Sequence, residues 1–304
     1  MAFAQGSRSG LSYLTETTFG TTPVGNFAQL PFNTHSLNLT KERLASTEIV
    51  TDRMPRIDRH GNRSVGGDVV VDLRDAVFNP LIETAMLSTF STGNIKVGTT
   101  PKYLSMEDYA ADIDQARLFT GLAVSTMNIS MAPNQMVTTT FGLVGKDMTI
   151  SGTEKTVDAA TEVEPFDAYS GDIKVANVDG ISGASALSVV TGLDFTLTNS
   201  FAPTFVVGDD SAPQLEFGRA EIEGTLTAYF EDTDLINRFL NETESAIEVS
   251  VADPSANTMT FLFPKVKFNS ADVPVDGPTS RVVNMSFVAL YDDTEGTNLS
   301  ITTA

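Results

Sequence analysis

Runs in which apolar and polar residues alternate, closed off by Gly, Pro, Asn and Asp, recur along the chain, and a period of two confines it to antiparallel sheets with one buried face. The clearest run is 282–291, where Val283, Met285, Phe287, Ala289 and Tyr291 alternate with Asn284, Ser286 and Val288. Others lie at 37–40, 69–73, 124–131, 137–144, 193–198, 246–251 and 259–263. Thr, Ser, Val and Gly dominate where a helical protein carries runs of Ala, Leu, Glu and Lys. The predicted fold class is therefore mainly β. With 304 residues, 41% of them hydrophobic and 19% charged, the chain can bury a sizeable core, and its length suggests about two domains.

Two segments have helical spacing, and they read alike. One runs from about 75 to 90 and places Leu81, Ile82, Ala85 and Met86 on one stripe; the other, 232–242, places Leu235, Ile236, Phe239 and Leu240 at the same spacing. Each follows a strand, and Asp75 and Asp232 stand where an acidic cap belongs. A strand, helix and strand series that occurs twice points to an internal duplication. Gly67 matches Gly224 at an offset of 157, Leu81 matches Leu235 at 154, and the closing run 139–143 matches 285–289 at 146. The organisation expected is an N-terminal arm at 1–30, an antiparallel β-sandwich or barrel domain at 31–150, an acidic connector at 151–183 with a short strand at 173–175, and a second such domain at 184–304, each domain with one flanking helix.

The chain has no Cys, which excludes disulfides, thiolate metal sites and thiol catalysis. The start, Met1-Ala-Phe-Ala-Gln-Gly-Ser-Arg, lacks the apolar stretch of a signal peptide, and no run approaches about 18 apolar residues, so assembly in the cytoplasm is expected. Neither His35 nor His60 has metal-ligand spacing, and no nucleophile elbow, phosphate loop or dinucleotide fingerprint is present. Asp108, Asp112 and Asp114, and the pair Asp209 and Asp210, lack the Gly and the closing Glu of a calcium loop. No enzyme, cofactor or metal is expected. With 39 acidic against 19 basic residues, a net charge of -20, the surface repels phosphate backbones.

One basic cluster interrupts this acidity. Residues 41–64 carry Lys41, Arg43, Arg53, Arg56, Arg59 and Arg63 against Glu42, Glu48, Asp52 and Asp58, whereas the corresponding stretch of the second half, 200–218, has Asp209, Asp210 and Glu216 and no Lys or Arg. Three roles are open to such a loop. It could bind nucleic acid, although no aromatic residues interleave with the arginines; it could be solvated and mobile; or it could pair with carboxylates of a neighbouring subunit, for which Arg is suited.

The run Tyr13-Leu14-Thr15-Glu16-Thr17-Thr18-Phe19-Gly20-Thr21-Thr22-Pro23 resembles the N-terminal signature of the major tail tube proteins of long-tailed phages. Leu118-Phe119-Thr120-Gly121-Leu122, and Tyr169-Ser170-Gly171-Asp172-Ile173 leading to Leu193-Asp194-Phe195-Thr196-Leu197-Thr198-Asn199, are similar to segments of one branch of that family. The resemblance implies packed antiparallel sheets with a flanking helix, six such domains closing a ring, and rings stacking into a conduit through which DNA is ejected without specific binding. Two domains per chain then imply a trimeric ring with pseudo-sixfold symmetry; without the duplication, a hexamer follows. The resemblance also implies tape-measure and tail terminator proteins as partners, and contacts between rings made by 11–25 and 41–64. Tyr13, Glu16 and Phe19, with Arg43, Arg53, Arg56, Arg59, Arg63, Asp209, Asp210 and Glu216, become candidate contact residues. An acidic lumen is expected of such a conduit. The competing reading is a capsid decoration or receptor-binding β protein, against which the absence of Trp and a total of six Tyr weigh.

Overall fold

The period-two runs are strands in a computed structural model, which describes residues 3–52, 54–160, 162–275 and 277–304. Fourteen of its strands fall into two matching sets. The first set is β1 (Ser9–Glu16), β2 (Asn38–Ala45), β3 (Asp58–Asp72), β4 (Tyr103–Ala110), β5 (Gln115–Met131), β6 (Thr138–Gly145) and β7 (Asp147–Ser151), with helix α1 (Asn79–Met86) after β3. The second is β8 (Asp167–Asn177), β9 (Val190–Thr198), β10 (Glu221–Tyr229), β11 (Ser245–Ala252), β12 (Thr258–Phe268), β13 (Val282–Ala289) and β14 (Ser300–Thr303), with α2 (Asp234–Leu240) after β10.

Every pairing within the first set has its counterpart seven labels on. β1 pairs β4, β4 pairs β5, β5 pairs β6, β6 pairs β3, β3 pairs β2, and β7 adds to β5, all antiparallel. Likewise β8 pairs β11, β11 pairs β12, β12 pairs β13, β13 pairs β10, β10 pairs β9, and β14 adds to β12. Even an irregularity recurs. Between β4 and β5 the register slips from Leu104↔Leu122 to Met106↔Phe119, and between β11 and β12 from Ser245↔Val266 to Ile247↔Phe263. Two glycines mark a second shared point. A side chain at Gly67 (φ +145) would lie 2.6 Å from the Ser36 backbone, and one at Gly224 would lie 2.7 Å from the Asp194 carbonyl. These two glycines pair with Leu143 and Phe287, so the closing strands correspond at 144 and not at the 146 expected.

The expected boundaries shift accordingly. The arm expected at 1–30 is not free over Ser9–Glu16, because β1 runs the length of β4 with Leu11, Ser12, Tyr13 and Glu16 buried. Nor is 151–183 only a connector: β8 lies in it and pairs with β11, carrying the expected 173–175 strand. Both helices are shorter than predicted. Pro80 opens α1 and Leu87, in the left-handed region, ends it, while Asp75 makes no cap. Asp232, two residues ahead of α2, accepts the Asp234 N–H at 2.9 Å, and Thr233 is the N-cap.

One ladder joins the sets. The second half of β5 lies between β6 and β9, with Met131 opposite Leu193 and Thr126 opposite Thr198, so a single sheet runs from β2 through β3, β6, β5, β9 and β10 to β13. Asn128 Nδ2 donates to Thr196 Oγ1 at 2.9 Å across it, and Asn199 donates from its side chain to the Ala85 carbonyl at 2.7 Å and from its backbone to Ser125 at 2.8 Å. A contiguous apolar core, from Leu11 to Ile301, underlies both sets.

Candidate assembly surfaces

β3 pairs with β6 only from Val65 onward, so its first seven residues and the end of β2 form a two-stranded ribbon that outruns the sheet. Along this ribbon Arg43 Nε lies 2.7 Å from Asp58, and at its tip Arg56 lies 2.6 Å from Asp52. Arg59 is exposed and has no carboxylate within 4.0 Å among the described residues. Arg53 falls outside the described residues. Leu44, Ile49, Met54 and Ile57 are all exposed on the same ribbon and tip. Apolar side chains presented beside arginines make this a surface that gains from being covered.

The counterpart connection in the second set is a short hairpin of Ala202–Thr204 and Gln214–Glu216, with Glu216 exposed. Hydrogen bonds from the Ser211 N–H and hydroxyl hold the Asp209 carboxyl below its ordinary value. Asp210 does not face outward alone: it lies 3.1 Å from Arg63, which also reaches Asp147 at 3.2 Å, and the Arg63 N–H donates to the Asp210 carbonyl at 2.8 Å. The contact expected between a basic and an acidic loop is thus made inside one chain at this point.

The aromatic–glycine signature also turns inward. Glu16 is buried and accepts from the Ser105 hydroxyl and the N–H groups of Gly121 and Gly20, at 2.7, 2.8 and 2.7 Å. Phe19 packs edge-on to Tyr103 at 4.7 Å, with Lys146 over its ring at 5.6 Å. Burial raises the Tyr13 hydroxyl pKa, and that hydroxyl donates to the Val77 carbonyl at 3.3 Å. Tyr13 and Glu16 therefore have no reach left for a neighbouring subunit; they pin β1 and the following turn to β4 and β5. The acidic trio likewise has protein partners: Asp108 bonds Arg117, Asp112 bonds Arg8 and Asp114 bonds Tyr109.

The sequence reading missed one surface. On the side of the long sheet away from the core, alternate residues are Asp68 and Asp72 on β3, Thr138 and Thr140 on β6, Asn128 and Ser130 on β5, Asp194 and Thr196 on β9, Glu221 and Glu223 on β10, and Ser286 on β13. From Ser64 of β3 across these six strands no Lys or Arg stands on that side, and none of the five carboxylates is in an ion pair among the described residues. Around Asp194 and Glu223 the face is hollowed into a trough of about 560 Å3. The alternation of acids and Thr with Leu, Ile and Phe at 193–198 and 221–226 was the available signal.

A family model described as phage tail tube protein matches residues 6–289. The chain belongs to that family. A search of curated proteins finds no match. As a phage tail tube protein the chain is a structural component of the virion tail and not an enzyme, it assembles with copies of itself, and the decoration or receptor-binding alternative is set aside. No helix among the described residues is long and apolar enough to cross a membrane.

Proposed function

We propose that each chain supplies two tube-type modules, that three chains close into a ring of six quasi-equivalent modules, and that stacked rings form the channel through which phage DNA leaves. The observation that carries this is the β5–β9 ladder: two sets with the same pairings meet through a continuous sheet, so rotation by one further module repeats the same contact. Closure removes the sheet edges that otherwise pair without control. The side of the long sheet bearing Asp68, Asp72, Asp194, Glu221 and Glu223 faces the lumen. Carboxylates and hydroxyls there repel or ignore phosphates, and the core of the sandwich lies behind them.

The cationic ribbon from β2 to β3, with Arg43, Arg56, Arg59 and its exposed apolar residues, reaches the adjacent ring. Glu216 and Asp209 on the acidic hairpin offer carboxylates to it. Tape-measure and terminator proteins are the partners inside and at the end of such a tube. Electron microscopy of the purified protein tests the reading. Rings with threefold symmetry and six similar lobes are expected; six chains per ring, or discrete monomers at all concentrations, overturn it.

A further inference from the structure

We infer that the joint between subunits is a β-ladder in which residues 270–273 of one copy, just beyond β12, pair with residues 37–40 of a second copy, with Asp272 opposite Asn38. The inference rests on the modular ring proposed above and names its contact surface.

The internal joint between β5 and β9 supplies the register. Leu122 matches Val266 and Phe119 matches Phe263, both at 144, and Asn128 carries the same offset to Asp272: Asn128 pairs Thr140 on β6, and Asp272 pairs Asn284 on the matching strand β13. Residues 126–129 of β5, which hold β9, therefore correspond to 270–273. There the alternation persists, with Ala271 and Val273 against Ser270 and Asp272. In the single chain this segment has β13 on one side and no strand on the other among the described residues.

Hydrogen-bond direction fixes which groups await a partner. The N–H and carbonyl of Asp272 are both exchanged with Asn284, so those of Ala271 and Val273 point to the open edge. Among the described residues the Val273 carbonyl is held there only by the Arg281 side chain, at 3.0 Å. The complementary edge is β2. Gly67 presses on Ser36 as Gly224 does on Asp194, so Leu37, Asn38 and Leu39 correspond to Phe195, Thr196 and Leu197 of β9. Among the described residues β2 pairs with β3 alone, and because Ser36 donates to Asp68, the polar groups of Leu37 and Leu39 face away from β3. Transferring the register Asn128↔Thr196 gives Asp272↔Asn38, a carboxylate beside an amide donor.

Burial supports the same occupant. At the internal joint the end of α1 is covered: Met86 is fully buried, and Leu87 packs with Phe201 and Leu215 from the β9–β10 connection. The matching position on α2, Leu240, is 66% exposed. The connection that a second copy brings to it, from β2 to β3, carries Leu44 and Ile57, both exposed in the single chain. A second copy of this chain supplies both the missing strand and the missing apolar cover.

The chain has no Cys, so a disulfide reports the register directly. Asn38 and Asp272 form a non-hydrogen-bonded pair across this ladder, with Cα atoms about 4.5 Å apart and within disulfide range. The full chain carrying Asn38→Cys and Asp272→Cys, assembled and oxidised, is expected to run as a covalent trimer without reductant and as a monomer with it. Asn38→Cys with Ala271→Cys, whose side chains lie on opposite faces, stays monomeric. In the unmodified protein, peptides spanning 36–41 and 269–274 exchange amide hydrogens at least about tenfold more slowly when assembled than when dilute. Threefold rings with neither cross-link nor protection overturn this joint and leave the ring intact. Cross-linked ladders longer than three keep the joint and overturn the ring. Protein that never assembles overturns both.

Discussion

Arg63 and Asp210 lie 3.1 Å apart in one chain although they belong to the two different loops whose opposite charges stand out in the sequence. Arg63 is the better buried of the two, and Asp147 is its second carboxylate at 3.2 Å. The pair therefore sets how the acidic hairpin sits on the root of the cationic ribbon. A double-mutant cycle with Arg63→Ala and Asp210→Ala is expected to give a coupling of about 0.2–1 kcal/mol in chemical denaturation, falling as salt rises, because Asp210 remains largely solvated.

The tip of the ribbon behaves differently. Arg56 and Arg59 are exposed, and among the described residues Arg56 pairs with Asp52 of the tip itself and Arg59 with no carboxylate, so Arg56→Glu with Arg59→Glu leaves the melting temperature unchanged within about 1 °C. Assembly suffers if the tip grips the next ring: the concentration at which tubes appear in sedimentation rises at least about tenfold. Normal tube formation by this variant assigns the tip to solvent.

Glu16 makes the opposite case. All three of its hydrogen bonds come from donors, two of them backbone N–H groups on different carboxylate oxygens. Glu16→Gln must turn an NH2 toward one of those N–H groups whichever way it flips, so a loss of about 2–3 kcal/mol in denaturant unfolding is expected. Intact stability in this variant removes the role given to the N-terminal signature.

Such inward roles show where the sequence was legible and where it was not. Strands with one buried face, such as β9 and β13, announce themselves by alternation. β1 does not, because Leu11, Ser12 and Tyr13 are all buried, and a polar stretch with Glu16 at its end reads as a free arm. The repeat was legible in its elements but not in its register: a slip of two keeps every side chain on its face, so 144 and 146 fit the pattern equally well. The first helix reads long because Leu87, the residue that stops α1 in a left-handed turn, is not the Gly or Asn that signals such a stop in a sequence. Charge alone could not say that Asp210 meets Arg63 within the chain, nor collect Asp68, Asp194 and Glu223 on one side of one sheet.

Glu107 and Asp108 are neighbours on β4, and their carboxyls are shifted in opposite directions. Burial raises Glu107, against a weaker lowering by the Lys155 N–H and charge, and its Oε2 has no hydrogen-bond partner among the described residues. Burial pushes Asp108 up as well, but hydrogen bonds from His35 and Arg117 more than reverse this and hold it below the ordinary value. Glu107 thus costs stability that is absent below its unfolded pKa of about 4.3 and fully present above its raised folded value. Glu107→Gln is expected to stabilise by about 1 kcal/mol at pH 7, with the gain shrinking as pH falls toward 4. Asp108→Asn does the reverse: it destabilises at pH 7, and the difference from the unmodified chain closes only as pH drops through the lowered value of Asp108. Measuring unfolding free energies of both variants across pH 3–7 checks the two signs together.

The lumen assignment turns on charge alone and can be tested without touching the fold. Asp194 and Glu223 lie on adjacent strands of the long sheet, point away from the core and have no cationic partner among the described residues. Replacing both by Lys inverts the local charge at each repeat around the ring while leaving the backbone ladder and the apolar side untouched, so tubes still form and melting is little changed. What changes is the response to duplex DNA. Unmodified tubes with an acidic channel retain none at 50 mM salt, whereas the variant retains it and releases it steeply as salt approaches 200 mM, because each phosphate contact adds about 0.9 to the slope of log affinity against log salt. Retention that is equal for the two proteins places these carboxylates outside the channel, and the long sheet then faces its neighbours or solvent.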